Sequence, residues 1–205
     1  MLKVCYATRN YGKFISLQKE LSKYKIEVEQ VPLSLSEPRS DDIREIAKAK
    51  VMYAYDKVQQ PCVILDAGFF IPSLNGFPGT YVNHALETIG VEGILTLVEG
   101  DNRECEFRQC LAYIDLSLMN EARPEPRYFE SAVRGRLSEK PRGEMQEHFW
   151  SELAKVFVPE GKEKTLAEMT EDEYKEWRNE RQKESYITKF AKWFIIPSES
   201  TRFRP

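Results

Sequence analysis

Apolar side chains dominate residues 2–7 (Leu-Lys-Val-Cys-Tyr-Ala) and predict a short strand. The polar run Thr8-Arg9-Asn10-Tyr11-Gly12 then supplies turn residues and a helix N-cap. Phe14, Leu17, Leu21 and Tyr24 recur at helical spacing, with Lys, Gln and Glu between them. Strand, polar turn and helix open an α/β unit. Residues 26–32 read as a second strand ended by Pro32, and the polar stretch 34–42, which contains Pro38, as a loop. Ile43, Ile46, Ala47, Val51 and Ala54 mark the apolar face of a second helix. Cys62-Val63-Ile64-Leu65 is a continuous apolar run, the pattern of a buried strand. Asp66-Ala67-Gly68 is expected at its carboxyl end, where open α/β sheets bind ligands.

Asn75-Gly76-Phe77-Pro78-Gly79 reads as a turn-rich loop, and one helix is expected over 86–98. Alternation at 106–116 and 127–137 predicts paired strands joined by 120–126. Residues 170–194 read as helical, opening with Thr170 and Glu173 in a capping box. The tail after Pro197 reads as poorly ordered. No internal repeat or low-complexity segment interrupts a single unit spanning 1–205.

Composition narrows the function classes. A hydrophobic fraction of 41% in 205 residues supports a real core and excludes a wholly disordered chain. With Lys+Arg 30 against Asp+Glu 33, the net charge of −3 argues against a bulk nucleic-acid binder. No apolar run reaches the roughly 18 residues of a membrane span, and the N-terminus is too soon interrupted to read as a signal peptide. The expected setting is soluble and cytoplasmic. Cys5 and Cys62 lie in apolar runs, and the odd separation of Cys105 and Cys110 points them to opposite faces of a strand. With no Cys-x-x-Cys, this placement argues against both a disulfide framework and a structural zinc site.

Three groups of residues could carry chemistry. Thr8-x-Asn10-x-x-Lys13 stands where a helix N-terminus presents free N–H groups to an anion, and it adds donors and charge suited to a polyphosphate. Its plainer reading is an ordinary cap with a solvated lysine. Glu37, Asp41, Asp42 and Glu45 form an acidic cluster that could hold Mg²⁺ or simply complement a helix dipole. Lys50, on the same helix, either reaches a phosphate or is a surface lysine. Asp66 could orient water, take its proton or bind metal, or it could be a turn-forming residue.

The motifs fall in a recognisable order. Thr8-x-Asn10-x-x-Lys13, Glu37-x-x-x-Asp41, Ile46-Ala47-x-x-Lys50 and Asp66-x-Gly68 come first. Leu74-Asn75-Gly76-Phe77-Pro78-Gly79-x-Tyr81 and Phe157-Val158-Pro159-Glu160-Gly161-x-x-x-Thr165-x-Ala167-Glu168-Met169 follow. Over about residues 3–194 the sequence resembles the inosine triphosphate pyrophosphatase family, also called the non-standard purine NTP pyrophosphatase family. The resemblance implies an α/β fold with a long mixed sheet, flanking helices and two lobes around a central cleft. It implies a homodimer, and hydrolysis of a nucleoside triphosphate to the monophosphate and pyrophosphate with Mg²⁺, or Mn²⁺ in its place. It further implies that Thr8, Asn10, Lys13 and Lys50 hold phosphates, that Glu37 and Asp66 bind metal, and that Asp66 activates water.

The sequence also departs from the family pattern. Leu65 stands where an acid normally precedes the aspartate. His148-Phe149-Trp150-Ser151-Glu152 replaces a Phe-Gly-Tyr/Trp-Asp segment, and Glu184-Ser185-Tyr186-Ile187-Thr188-Lys189 replaces the purine-reading Ser-His-Arg. Phe149 or Trp150 could stack on a base and Glu152 could replace the lost aspartate; core packing is the plainer reading of the aromatics. The phosphate end of the site is kept and the base end rewritten. The expected function is an NTP pyrophosphatase with altered base recognition; the alternative is an inactive homologue that binds nucleotide or a partner.

Overall fold

The computed structural model describes residues 2–36, 38–146, 149 and 151–196. Strand β1 (Leu2–Ala7) leads into α1 (Tyr11–Ser22), β2 (Ile26–Val31), α2 (Ile43–Val58) and β3 (Cys62–Phe70). The short β4 (Pro78–Gly79), α3 (Val82–Thr88) and α4 (Gly90–Leu97) follow. Two long strands, β5 (Glu104–Ile114) and β6 (Arg127–Leu137), flank the one-turn α5 (Leu116–Met119). Strand β7 (Phe157–Pro159) and helices α6 (Glu171–Arg181) and α7 (Tyr186–Ile195) complete the chain.

The sheet is mixed, in the order β2-β1-β3-β5-β6-β7, with β4 on β3. β1 pairs in parallel with β2 and β3, whereas β3, β5 and β6 run antiparallel to one another. Helix α1 packs on one face and α2 on the other, so each half-buried helix covers the stripe its sequence predicts. Val4, Tyr6, Val63, Leu65, Leu111 and Tyr113 meet α1 and α7 in one core. Cys5, Ile64, Cys110, Ala112 and Ile114 meet α2 in a second, on the opposite face. A third, built on Phe69, Cys105 and Phe157, joins α4 and α6 at the far end of the first face. Cys105 and Cys110 therefore do lie on opposite faces, and all four thiols are free and buried.

Three expectations need correction. β3 does not stop at Leu65: Asp66, Ala67 and Gly68 stay paired with Cys110, Gln109 and Arg108, so Asp66 lies within the strand. The helix expected over 86–98 is two helices, separated near Gly90, whose φ of +65° favours glycine. The helical run 170–194 breaks after Arg181, and Ser185 restarts it by accepting a hydrogen bond from Thr188 N. Its capping box at Thr170 and Glu173 is formed as the sequence predicts. The tail after Pro197 lies outside the described residues.

Candidate functional site

The site starts where β1 leaves the sheet. Its register with β3 ends at Tyr6–Val63, and the register of β4 with the same edge begins at Phe69. Between them β3 has no strand neighbour on that side among the described residues, which leaves a notch along 64–68. At one end, Gln30 Nε2 donates to Thr8 O (3.0 Å) and Asn10 N donates to Thr8 Oγ1 (3.1 Å). Asn10 Oδ1 accepts from Lys13 N (2.9 Å) and caps α1. The Thr8 hydroxyl and the Asn10 amide keep donor hydrogens beside the helix N-terminus, where the dipole favours an anion. At the other end, Gly79 lies across β3: a Cβ on Gly68 would meet Gly79 O at 2.8 Å. Thr80 Oγ1 ties this segment to Ser40 O (2.7 Å) in the loop before α2.

Asp66 and Lys50 face each other across the α2 side of the sheet. Lys50 is 6% exposed, rare for a lysine, and its ammonium donates to Asp66 Oδ1 at 2.5 Å. The other carboxylate oxygen, Oδ2, is buried as well. A buried ion pair is a poor source of stability because both charges lose water, so its presence beside an open notch points to chemistry. Helix α2 is fixed to β6 by Arg44, whose Nε donates to Glu130 Oε1 (2.9 Å), and to the segment just before β6 by the ion pair of Lys48 with Glu125. These cross-links hold the backbone that carries Lys50. Burial, foremost, pushes the Tyr6 phenol far up, with the charges of Tyr186 and Asp66 adding to the shift. Tyr6 is thus a neutral group in the core of the α1 face.

Of the acidic cluster, Asp42 caps α2 through Arg44 N (2.8 Å) and Glu45 accepts from Ser40 Oγ (2.6 Å), the plainer of the two readings. Among the described residues no group of three or more His, Cys, Asp or Glu could hold a metal. One carboxylate, Asp66, still suits Mg²⁺, which commonly binds through one or two carboxylates, water and substrate phosphates. Glu37 and Trp150 lie outside the described residues. Phe149 stands edge-on to Tyr174 (5.2 Å) against the far core, and exposed Glu152 opens a 3₁₀ turn.

A cavity of about 490 Å³ opens on the α1 face, between the two cores of that face. Ser16, Lys19 and Glu20 of α1 form one wall, and Tyr174, Trp177 and Arg178 of α6 the other. Its floor includes Gln109 and Ser131, and Tyr186 and Ile187 also line it. Glu20 bridges the walls, accepting from Gln182 Nε2 (2.9 Å) and pairing with Arg178 (3.6 Å). Sequence reasoning missed Gln109, although a polar residue interrupts the apolar alternation Cys105, Phe107, Leu111, Tyr113 there. It also missed Tyr174 and Trp177, three apart on α6. Two of the three departures from the family pattern meet in one apolar core beside the cavity: Leu65, Tyr186 and Ile187 pack together, so the lost acid and the lost basic motif are replaced together.

Known proteins resemble this chain along most of its length. The dITP/XTP pyrophosphatase of Methanopyrus kandleri is 40% identical over 198 residues, covering 94% of this chain and 96% of that protein. The protein of the same name from Saccharolobus solfataricus is 34% identical and covers 84% of each chain. Among solved structures, a HAM1 protein from Coxiella burnetii superposes with a TM-score of 0.73 at 20% identity, over 94% of this chain and 96% of that one. The Staphylococcus aureus Ham1 protein gives 0.72 at 18% identity, over 93% and 97%. These two share the fold. A model of the Ham1 family matches residues 4–183, and with relatives of this similarity along almost its whole length the chain belongs to that family.

Proposed function

We propose that this protein hydrolyses non-standard purine nucleoside triphosphates, of the dITP and XTP type, to the monophosphate and pyrophosphate. The observation that carries the reading is the buried Lys50–Asp66 pair beside the notch and the α1 N-terminus. The names of the relatives from M. kandleri and S. solfataricus support it. In this reading Thr8, Asn10, Lys13 and the first N–H groups of α1 bind the phosphate chain. Lys50 offsets negative charge that would repel an incoming nucleophile. Asp66 takes a proton from water as the water oxygen bonds to the α-phosphorus and the bond to the α–β bridging oxygen breaks. Pyrophosphate leaves with that oxygen. A divalent ion, when bound at Asp66 and, by family resemblance, at Glu37, would neutralise phosphate charge.

Mg²⁺ (or Mn²⁺) as the metal, a homodimer, a cytoplasmic setting and a two-lobed single domain belong to the same proposal and rest on the resemblance and the sequence. A protein that only bound nucleotide would gain nothing from desolvating Lys50 and Asp66, which favours the enzyme. The test is Asp66→Asn assayed for pyrophosphate release from dITP and XTP. A fall of about 10²–10⁴-fold with nucleotide affinity retained is expected from loss of a general base. An unchanged rate would remove Asp66 from the chemistry, and a wild type inert on both substrates would overturn the reading.

A further inference from the structure

We propose that Gln109 reads the base in the cavity on the α1 face, its amide N–H₂ donating to a purine carbonyl. This rests on the hydrolysis reading and names the residue that selects a 6-oxopurine over a 6-aminopurine. Three rows cross the sheet there in register. Leu65–Leu111–Phe129 and Phe69–Phe107–Val133 are apolar, and between them runs Ala67–Gln109–Ser131. The apolar rows belong to the two cores of that face, and the middle row lies where neither core extends. A small and a polar residue at its centre leave the sheet uncovered, with aromatic Tyr174 and Trp177 on the wall.

Three polar side chains of the rim are engaged elsewhere. Arg178 and Gln182 are held by Glu20, and Arg181 donates to Ala132 O (2.7 Å). On the floor, Ser131 Oγ donates to Gln109 Oε1 at 3.2 Å. That bond uses the acceptor half of the amide, fixes its plane and leaves the donor half to the cavity. A 6-oxopurine offers this donor an acceptor; the 6-amino group of adenine meets it donor to donor. The motif that reads purines in the resembling family is replaced by the segment 184–189, whose Tyr186 and Ile187 join an apolar core, so discrimination needs another source in this chain.

The experiment compares wild type, Gln109→Leu, Gln109→Glu and Ser131→Ala. Affinities for dITP and dATP are measured calorimetrically without divalent metal, and kcat/KM for both with Mg²⁺. Wild type should prefer dITP. Gln109→Leu should lose about tenfold of that preference, the worth of one hydrogen bond left unmade, chiefly through weaker dITP. Gln109→Glu turns the donor into an acceptor and should shift preference towards dATP. Ser131→Ala should move the ratio in the same direction as Gln109→Leu by a smaller factor. A purely structural role would lower both nucleotides alike. Equal binding of dITP and dATP by wild type, or a ratio unchanged within about twofold in both Gln109 variants, would overturn the proposal. A wild type that prefers dITP in binding but hydrolyses neither would support base reading while removing the hydrolysis reading.

Discussion

Restoring the family's acid at position 65 tests how the site is built. On sequence alone, Leu65→Glu should raise metal affinity by completing an acidic pair. The structure predicts the reverse. Leu65 is 6% exposed and lies in the apolar core with Tyr6, Leu111, Tyr186 and Ile187, on the face opposite Asp66. Losing a buried leucine costs about 2 kcal/mol. A glutamate held neutral there at pH 7 costs about 3.8 kcal/mol more, since each unit between its usual pKa near 4.3 and pH 7 is worth about 1.4 kcal/mol. The deficit at pH 7 is therefore about 6 kcal/mol, comparable with the whole stability of a small domain. The sign with pH follows. The folded state keeps a proton that the unfolded chain releases above about pH 4.3, so the deficit grows from pH 4 to 7. Urea unfolding at both pH values, with Mg²⁺ titration, measures it. Adding Ile187→Arg should recover part of the loss at pH 7 by giving the carboxylate a partner. A single variant destabilised by less than about 1 kcal/mol at pH 7 (well under the leucine term), or one binding Mg²⁺ more tightly, would refute this geometry.

Lys13→Ala should weaken nucleotide binding by about 10–100-fold, the worth of a charged hydrogen bond, while thermal unfolding barely moves; unchanged affinity would detach the α1 turn from the phosphates. Gly68→Ala forces a Cβ to within 2.8 Å of Gly79 O and 2.7 Å of the Phe70 ring. Overpacking of this kind should cost about 1–3 kcal/mol, and an unchanged urea midpoint would show that β4 yields freely. Burial pushes Cys62, Cys105 and Cys110 up to about 12, so the native protein should resist a thiol reagent at pH 8 and react only on unfolding. Rapid labelling of the native protein would contradict that burial.

The sequence shows best what local pattern decides. The ends of β1 and β2 and the start of α2 follow from single-chain periodicity and turn residues, and the structure agrees to within a residue. The extent of β3 is different, because Asp66 stays in the strand through pairing with Cys110 across the sheet, and a partner distant in sequence leaves no mark on the local pattern. Lys50 looks like one surface lysine among many until α2 is laid on the sheet. Gln109 is intermediate. Its polar interruption of an apolar face is visible in the sequence, but its meaning depends on Ala67 and Ser131 falling in the same row.

The uncovered edge of β3 along 64–68 also governs how this protein can be dissected. Backbone amides and carbonyls are the one part of a binding surface that no side-chain substitution erases. Alanine scanning of Thr8, Asn10, Lys13 and Lys50 will therefore leave a residual affinity belonging to the main chain, and amide-to-ester replacement is the way to reach it. A bare strand edge is ordinarily an invitation to intermolecular pairing. Here it is closed at one end by the turn into α1 and at the other by β4, too short a berth for an incoming strand of about 5–6 residues with its flanks. The opening admits a small polar ligand and turns away another polypeptide.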